Sequence, residues 1–233
     1  MNGAGLPAEA ANTMLRVIGI ELRRHAPFTA LGALTGITIM AVLLFAQAPP
    51  SLSYGMFWTL HPLHVLLSAM VTAGMFRLNA GGGLWSTVAV GYVGSVGIAT
   101  LSDSLIPFLG EWLLDLPNRG VRVGFIEKWW LVNPLAVLGI AIAFVRPTTT
   151  LPHAGHVLLS TWASLFHITL AMGNELTTPE AALVGLFLFV AVWAPCCTSD
   201  IVFPLVFAWR GRLQRAMRLA DVSASLTGKA RGS

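Results

Sequence analysis

The sequence predicts an all-α fold, a polytopic membrane helix bundle of about six transmembrane helices with cytoplasmic N- and C-termini. Three observations predict it. Charged residues make up 10% of the chain against 55% hydrophobic, and the mean hydropathy is +0.74, a balance that water-soluble globules do not carry. Apolar runs of about 20 residues, long enough for a hydrocarbon core of ~30 Å, recur between short turn signals. Lysine and arginine gather on one side of those runs.

Residues 1–28 read as a cytoplasmic N-terminal segment. They carry Glu9, Arg16, Glu21, Arg23 and Arg24 and no apolar stretch ending in a small-residue cleavage site, so no cleavable signal is expected. The transmembrane domain spans 29–209. Its first helix is expected over 29–47, stopped by Pro49 and Pro50, because proline cannot continue a helix and restricts the residue before it. The second is expected over 58–77 and closed by "NAGGG", and the third over 84–108.

An external connection around 108–128 mixes apolar and charged residues. Flanked by Trp112, Trp129 and Trp130, it is expected to lie as an amphipathic segment on the outer surface, with Glu111, Asp115 and Glu127 as solvated charges. The fourth helix is expected over 129–145, the fifth over 153–172 after "RPTTTLP", and the sixth over 181–209 after "GNELTTPE", kinked at Pro195 and Pro204. Residues 210–233 form a basic cytoplasmic tail.

With six spans both termini share a side, and that side collects Arg16, Arg23, Arg24, Arg77, Arg146, Arg210, Arg212, Arg215, Arg218, Lys229 and Arg231. Arg119, Arg122 and Lys128 fall on the other. The positive-inside rule makes the termini cytoplasmic and points to a bacterial-type inner (plasma) membrane. The net charge of +4 is accounted for by this distribution, so no nucleic-acid partner is expected. The expected partners are membrane lipid and a metal ion, with a homo-oligomer compatible with the sequence.

Polar residues within the spans carry the functional reading. His61 and His64 stand three apart, on one helix face, and Ser68 and Thr72 extend that stripe inward. Asp103 lies near the outer end of the third helix in "ATLSDSLIP", and His167 near the outer end of the fifth. On the fifth, His156, Ser160, Ser164 and His167 fall on one face, which would be costly against lipid and is therefore expected to face the interior. Antiparallel packing brings His61, His64, Asp103 and His167 to a similar depth, and these four are the expected transition-metal ligands near the outer leaflet. A second site or pathway is drawn from His153, His156, Ser160, Ser164, Asp200, Cys196 and Cys197. Cys196 and Cys197 are expected to behave chiefly as small apolar residues whose side chains point apart on a helix.

Imidazole with one carboxylate suits a divalent transition metal, zinc or iron first, and is too nitrogen-rich for magnesium or calcium. Transport of such an ion is the leading expectation, with histidine protonation exchanging for metal. One alternative is a metal-dependent, membrane-embedded enzyme acting on a lipid-like substrate. The other is a b-type haem subunit. The glycines of "GYVGSVG" are read as packing residues and not as a phosphate loop.

Overall fold

The protein is described from a computed structural model, covering residues 8–80, 83–147, 150–172 and 178–197 together with Phe203, Pro204 and Phe207. The described residues are all-α. In chain order the helices are α1 (Ala8–Phe45), α2 (Pro50–Ala80), α3 (Leu84–Thr100), α4 (Ile106–Leu113), α5 (Gly124–Glu127), α6 (Trp129–Val145), α7 (Thr150–Ala171) and α8 (Thr178–Cys197). A π-helical turn, Leu101–Leu105, joins α3 to α4.

Among the described residues, three stretches are long and apolar enough to cross a membrane: Ala26–Phe45, Pro50–Leu78 and Leu84–Leu113. Trp129–Val145 and Leu183–Trp193 are shorter apolar helices. α1 ends at Phe45, before the proline pair, but it begins at Ala8 and not at the expected 29, and α2 begins not at 58 but at Pro50, whose missing N–H has no intrahelical partner to lose at a helix start. The third helix differs from expectation. It does not stop at 108 but continues through the π turn to Leu113, so the start of the expected surface connection is helical.

α2 is the central helix, packed against α7, α6 and α3, while α1 packs on α8 and α7. Small residues permit the closest approaches. A Cβ at Gly139 of α6 would collide with the Leu66 carbonyl oxygen of α2, and one at Gly91 of α3 would lie 2.9 Å from Ile140. The "GYVGSVG" glycines are only partly packing residues in this sense, since Gly97 meets nothing within 4 Å. At its C-terminal end α2 contributes Arg77, whose guanidinium donates to the Phe144 carbonyl at 2.5 Å and lies over the Phe144 ring, closing the end of α6.

The two polar stripes face inward. His61, His64, Ser68 and Thr72 on α2 are buried, and so are His156, Ser160, Ser164 and His167 on α7. Because α2 and α7 are neighbours, these stripes meet in the interior. Trp112, Trp129 and Trp130 are exposed, as interfacial tryptophans are.

Candidate metal centre

The π turn is where the centre begins. Pro107 has no N–H, and in a π-helical register that N–H would have gone to the carbonyl of Ser102, five residues back. The Ser102 carbonyl instead accepts a hydrogen bond from Ser164 Oγ of α7 at 2.9 Å. The widened turn leaves Ser102, Asp103 and Ser104 all buried, three consecutive polar side chains committed to the interior. A single proline thus couples a local backbone defect to an interhelical tie.

Asp103 is the hub. Its Oδ1 accepts from Ser102 Oγ at 2.8 Å and Ser160 Oγ at 2.7 Å, and its Oδ2 faces His61 Nδ1 at 2.9 Å and His64 Nδ1 at 2.7 Å. A carboxylate oxygen only accepts, so both Nδ1 atoms carry hydrogen and donate. In the neutral rings this leaves the lone pair of each histidine on Nε2, the tautomer that carboxylates impose on metal-binding histidines.

The two Nε2 atoms have different surroundings. That of His61 is buried without a hydrogen-bond partner and abuts Gly124, where even a Cβ would collide with it. The ring of His61 stacks on Phe57 at 5.4 Å. That of His64 looks toward Cys196 Sγ of α8 at 4.0 Å, and its ring stacks on that of His156 with centroids 5.7 Å apart. Cys196 in turn contacts Ser160 Oγ at 3.6 Å.

His64, His156 and Cys196 therefore form a fully buried group able to hold a metal ion, each offering one ligand atom and all these atoms lying within 4.8 Å of one another. In a filled tetrahedral zinc shell the ligand atoms stand about 3.3–3.6 Å apart. The group supplies two imidazoles and one thiol from α2, α7 and α8.

The four residues expected to share one site are divided by the structure. His61, His64 and Asp103 are in mutual contact. His167 turns to Glu111 of α4, its Nδ1 lying 2.7 Å from Glu111 Oε1, and its Nε2 lies 3.5 Å from both Ser104 Oγ and the Arg122 guanidinium. From the other set, His156, Ser160 and Cys196 join the His64 side, and Ser164 ties the π turn. The side chains of His153 and Cys197, and Asp200 altogether, lie outside the described residues.

Two expectations change. Glu111 is not a solvated charge: it is fully buried, with Oε2 accepting from the Gly120 N–H at 3.1 Å. Its seven-residue spacing from Ser104, about two turns, would place both on one face, but only once the helix is known to run on past Pro107. The following connection does not simply lie on the surface either. Gly120, Arg122 and Gly124 reach inward onto Glu111, Ser104 and His61, and Leu116 is buried in an apolar cluster with Leu165, Ile168 and Met172.

The chain matches no protein-family model, no curated protein and no solved structure.

Proposed function

We propose that the protein is an integral membrane protein of six spans that carries a divalent transition-metal ion, zinc first, through the polar interior between α2 and α7. The observation that carries this reading is the convergence of His64, His156 and Cys196 beside a histidine-bound carboxylate. Two imidazoles and a thiolate form a borderline-soft donor set that suits zinc and rejects magnesium and calcium. Iron(II) is the second choice. Asp103 is not a ligand in this reading but fixes the tautomer and orientation of His64.

Asp103 also supplies the charge argument. Among the described residues no lysine or arginine contacts it, so its counter-charge is a proton on a neighbouring imidazole or a bound cation. Those two alternatives are what an exchange of metal for protons needs. Three ligands instead of four hold the ion without locking it. The polar stripes continue past the group in both directions, through Ser164 and His167 one way and Ser68 and Thr72 the other. With the termini cytoplasmic, the Glu111 end faces outward.

One observation favours a metal-dependent membrane enzyme as the second reading. The hydroxyl of Ser160 stands beside both Cys196 and Asp103, where it could address a substrate at the open fourth position. A haem is less well served, because its axial imidazoles meet the iron end-on from opposite faces whereas His64 and His156 stack face to face.

Zinc uptake into proteoliposomes, read with an enclosed zinc-sensitive dye, tests the carrier. Uptake by the native protein that vanishes in Cys196→Ala supports it. Stoichiometric zinc binding without uptake would reject the carrier in favour of the enzyme.

A further inference from the structure

Outside the metal-capable group, a second cluster of titratable side chains lies at the α4 end of the bundle. His167 is fully buried between Glu111 on its Nδ1 side and Arg122 on its Nε2 side. A guanidinium only donates hydrogen bonds, so Nε2 accepts and Nδ1–H donates to the Glu111 carboxylate. Nε2 has one lone pair. The nitrogen lies 3.5 Å from both the Arg122 guanidinium and the Ser104 hydroxyl, and a proton on Nε2 would take the lone pair from both.

Arg122 belongs to a segment whose backbone is held by the same cluster. The Gly120 N–H donates to Glu111 Oε2 at 3.1 Å, the Arg122 N–H donates to Ser104 Oγ at 3.0 Å, and Gly124 covers the orphaned Nε2 of His61. Just before it the chain is anchored: Leu116 is buried, and the Asn118 N–H donates to the Ala171 carbonyl. The next residues, 119–124, are held by these contacts and by the first turn of α5, where the Glu127 and Lys128 N–H groups donate to Val123 and Gly124, so lifting them means breaking both.

We propose that His167 is a proton-binding site at which the proton competes with Arg122, and that proton uptake releases residues 119–124 and uncovers His61. The charged groups in contact with His167 are Glu111 from α4 and Arg122 from the connection, while Asp103 of the π turn is bound to His61 and His64. From α2 it meets the edge of Phe57, with His61 stacked behind that ring. The α1 and α8 side chains packed on its neighbours Leu165 and Ile168 are apolar Met40, Val184 and Leu188. An imidazolium at this point is held by the Glu111 carboxylate against the cost of burying its charge and repels the guanidinium, the only cation among these groups. No bond other than N–H forms or breaks, and the proton comes from water at the outer face.

The proposal deepens the carrier reading, since it supplies the exchanging proton and an opening toward His61, but the site and the release stand without it. Hydrogen exchange of the 119–124 amides, followed by mass spectrometry in nanodiscs between pH 8 and pH 5 and corrected for intrinsic exchange, tests it. Protection in the native protein should fall about tenfold or more on acidification. In His167→Gln, which stays neutral but keeps an acceptor and a donor, protection should not change with pH. Because that variant could misfold, Arg122→Gln is a second: its 119–124 amides should already be poorly protected at pH 8. Flat protection in the native protein, or the same fall in His167→Gln, would overturn the proposal. Failure of zinc uptake with the pH step intact would remove the carrier and leave the proton site standing.

Discussion

Among the described residues two carboxylates are buried, eight residues apart, and they are treated differently. Glu111 meets one histidine and one backbone N–H, and the far nitrogen of its histidine meets Arg122. That cluster contains its own cation. Asp103 meets two histidines and two serines, and the far nitrogen of one of those histidines looks toward a thiol and a third imidazole. That cluster contains donors for a cation and none of the permanent kind. The difference teaches where to look for a ligand: a buried carboxylate already offset by arginine is a structural or gating element, whereas one offset only by imidazoles leaves a charge that a metal ion or a proton must balance.

The comparison can be broken by substitution. The largest effect is expected for Cys196→Ser, which removes the proposed sulfur ligand and should weaken zinc binding by more than about 100-fold. Asp103→Asn comes next: the ligands remain but the tautomer and orientation of His64 are no longer enforced, for a loss of about 10–100-fold in a chelator-competition titration. Glu111→Gln should leave zinc affinity within about twofold and lower stability by about 1–3 kcal/mol, measured by thermal denaturation in detergent. Equal losses of zinc affinity in Asp103→Asn and Glu111→Gln would erase the distinction between the clusters. The smallest effect is expected for Thr161→Val. The Thr161 hydroxyl only returns a hydrogen bond to the Val157 carbonyl of its own helix, so both stability and zinc affinity should stay within about 1 kcal/mol of the native protein.

Much of this arrangement is legible in the sequence, and the reasons are physical. Helical spacing alone puts His61, His64, Ser68 and Thr72 on one face, and His156, Ser160, Ser164 and His167 on another. The cost of polar groups against lipid turns both faces inward. The boundaries of α6 are read directly because apolar length and turn signals agree there. Glu111 escapes that logic: it sits beside Trp112 in a mixed segment, and composition cannot separate a helix that runs on from a strap on the surface. The π turn escapes as well, since Pro107 signals a lost hydrogen bond but not which register absorbs it.

Cys196 shows the limit most clearly. Adjacent cysteines on a helix point about 100° apart, so sequence reasoning tells that Cys196 and Cys197 do not both address one ion. Which of them meets His64, 132 residues away in the chain, depends on the rotation of α8 against α2, and that is set by packing. Cys196 does pack in an apolar cluster with Val157 and Val192, as expected of a small buried residue, and its sulfur lies besides within reach of an imidazole nitrogen and a hydroxyl.

Cobalt(II) titration of the detergent-purified protein, followed by absorption, tests the central claim most directly, because a thiolate ligand adds an intense sulfur-to-metal charge-transfer band that nitrogen and oxygen ligands do not give. The account predicts about one equivalent of cobalt with that band in the native protein, loss of the band in Cys196→Ser, and displacement of cobalt by zinc. Binding of one equivalent with no thiolate band, unchanged in Cys196→Ser, would place the metal away from His64, His156 and Cys196 and contradict the account.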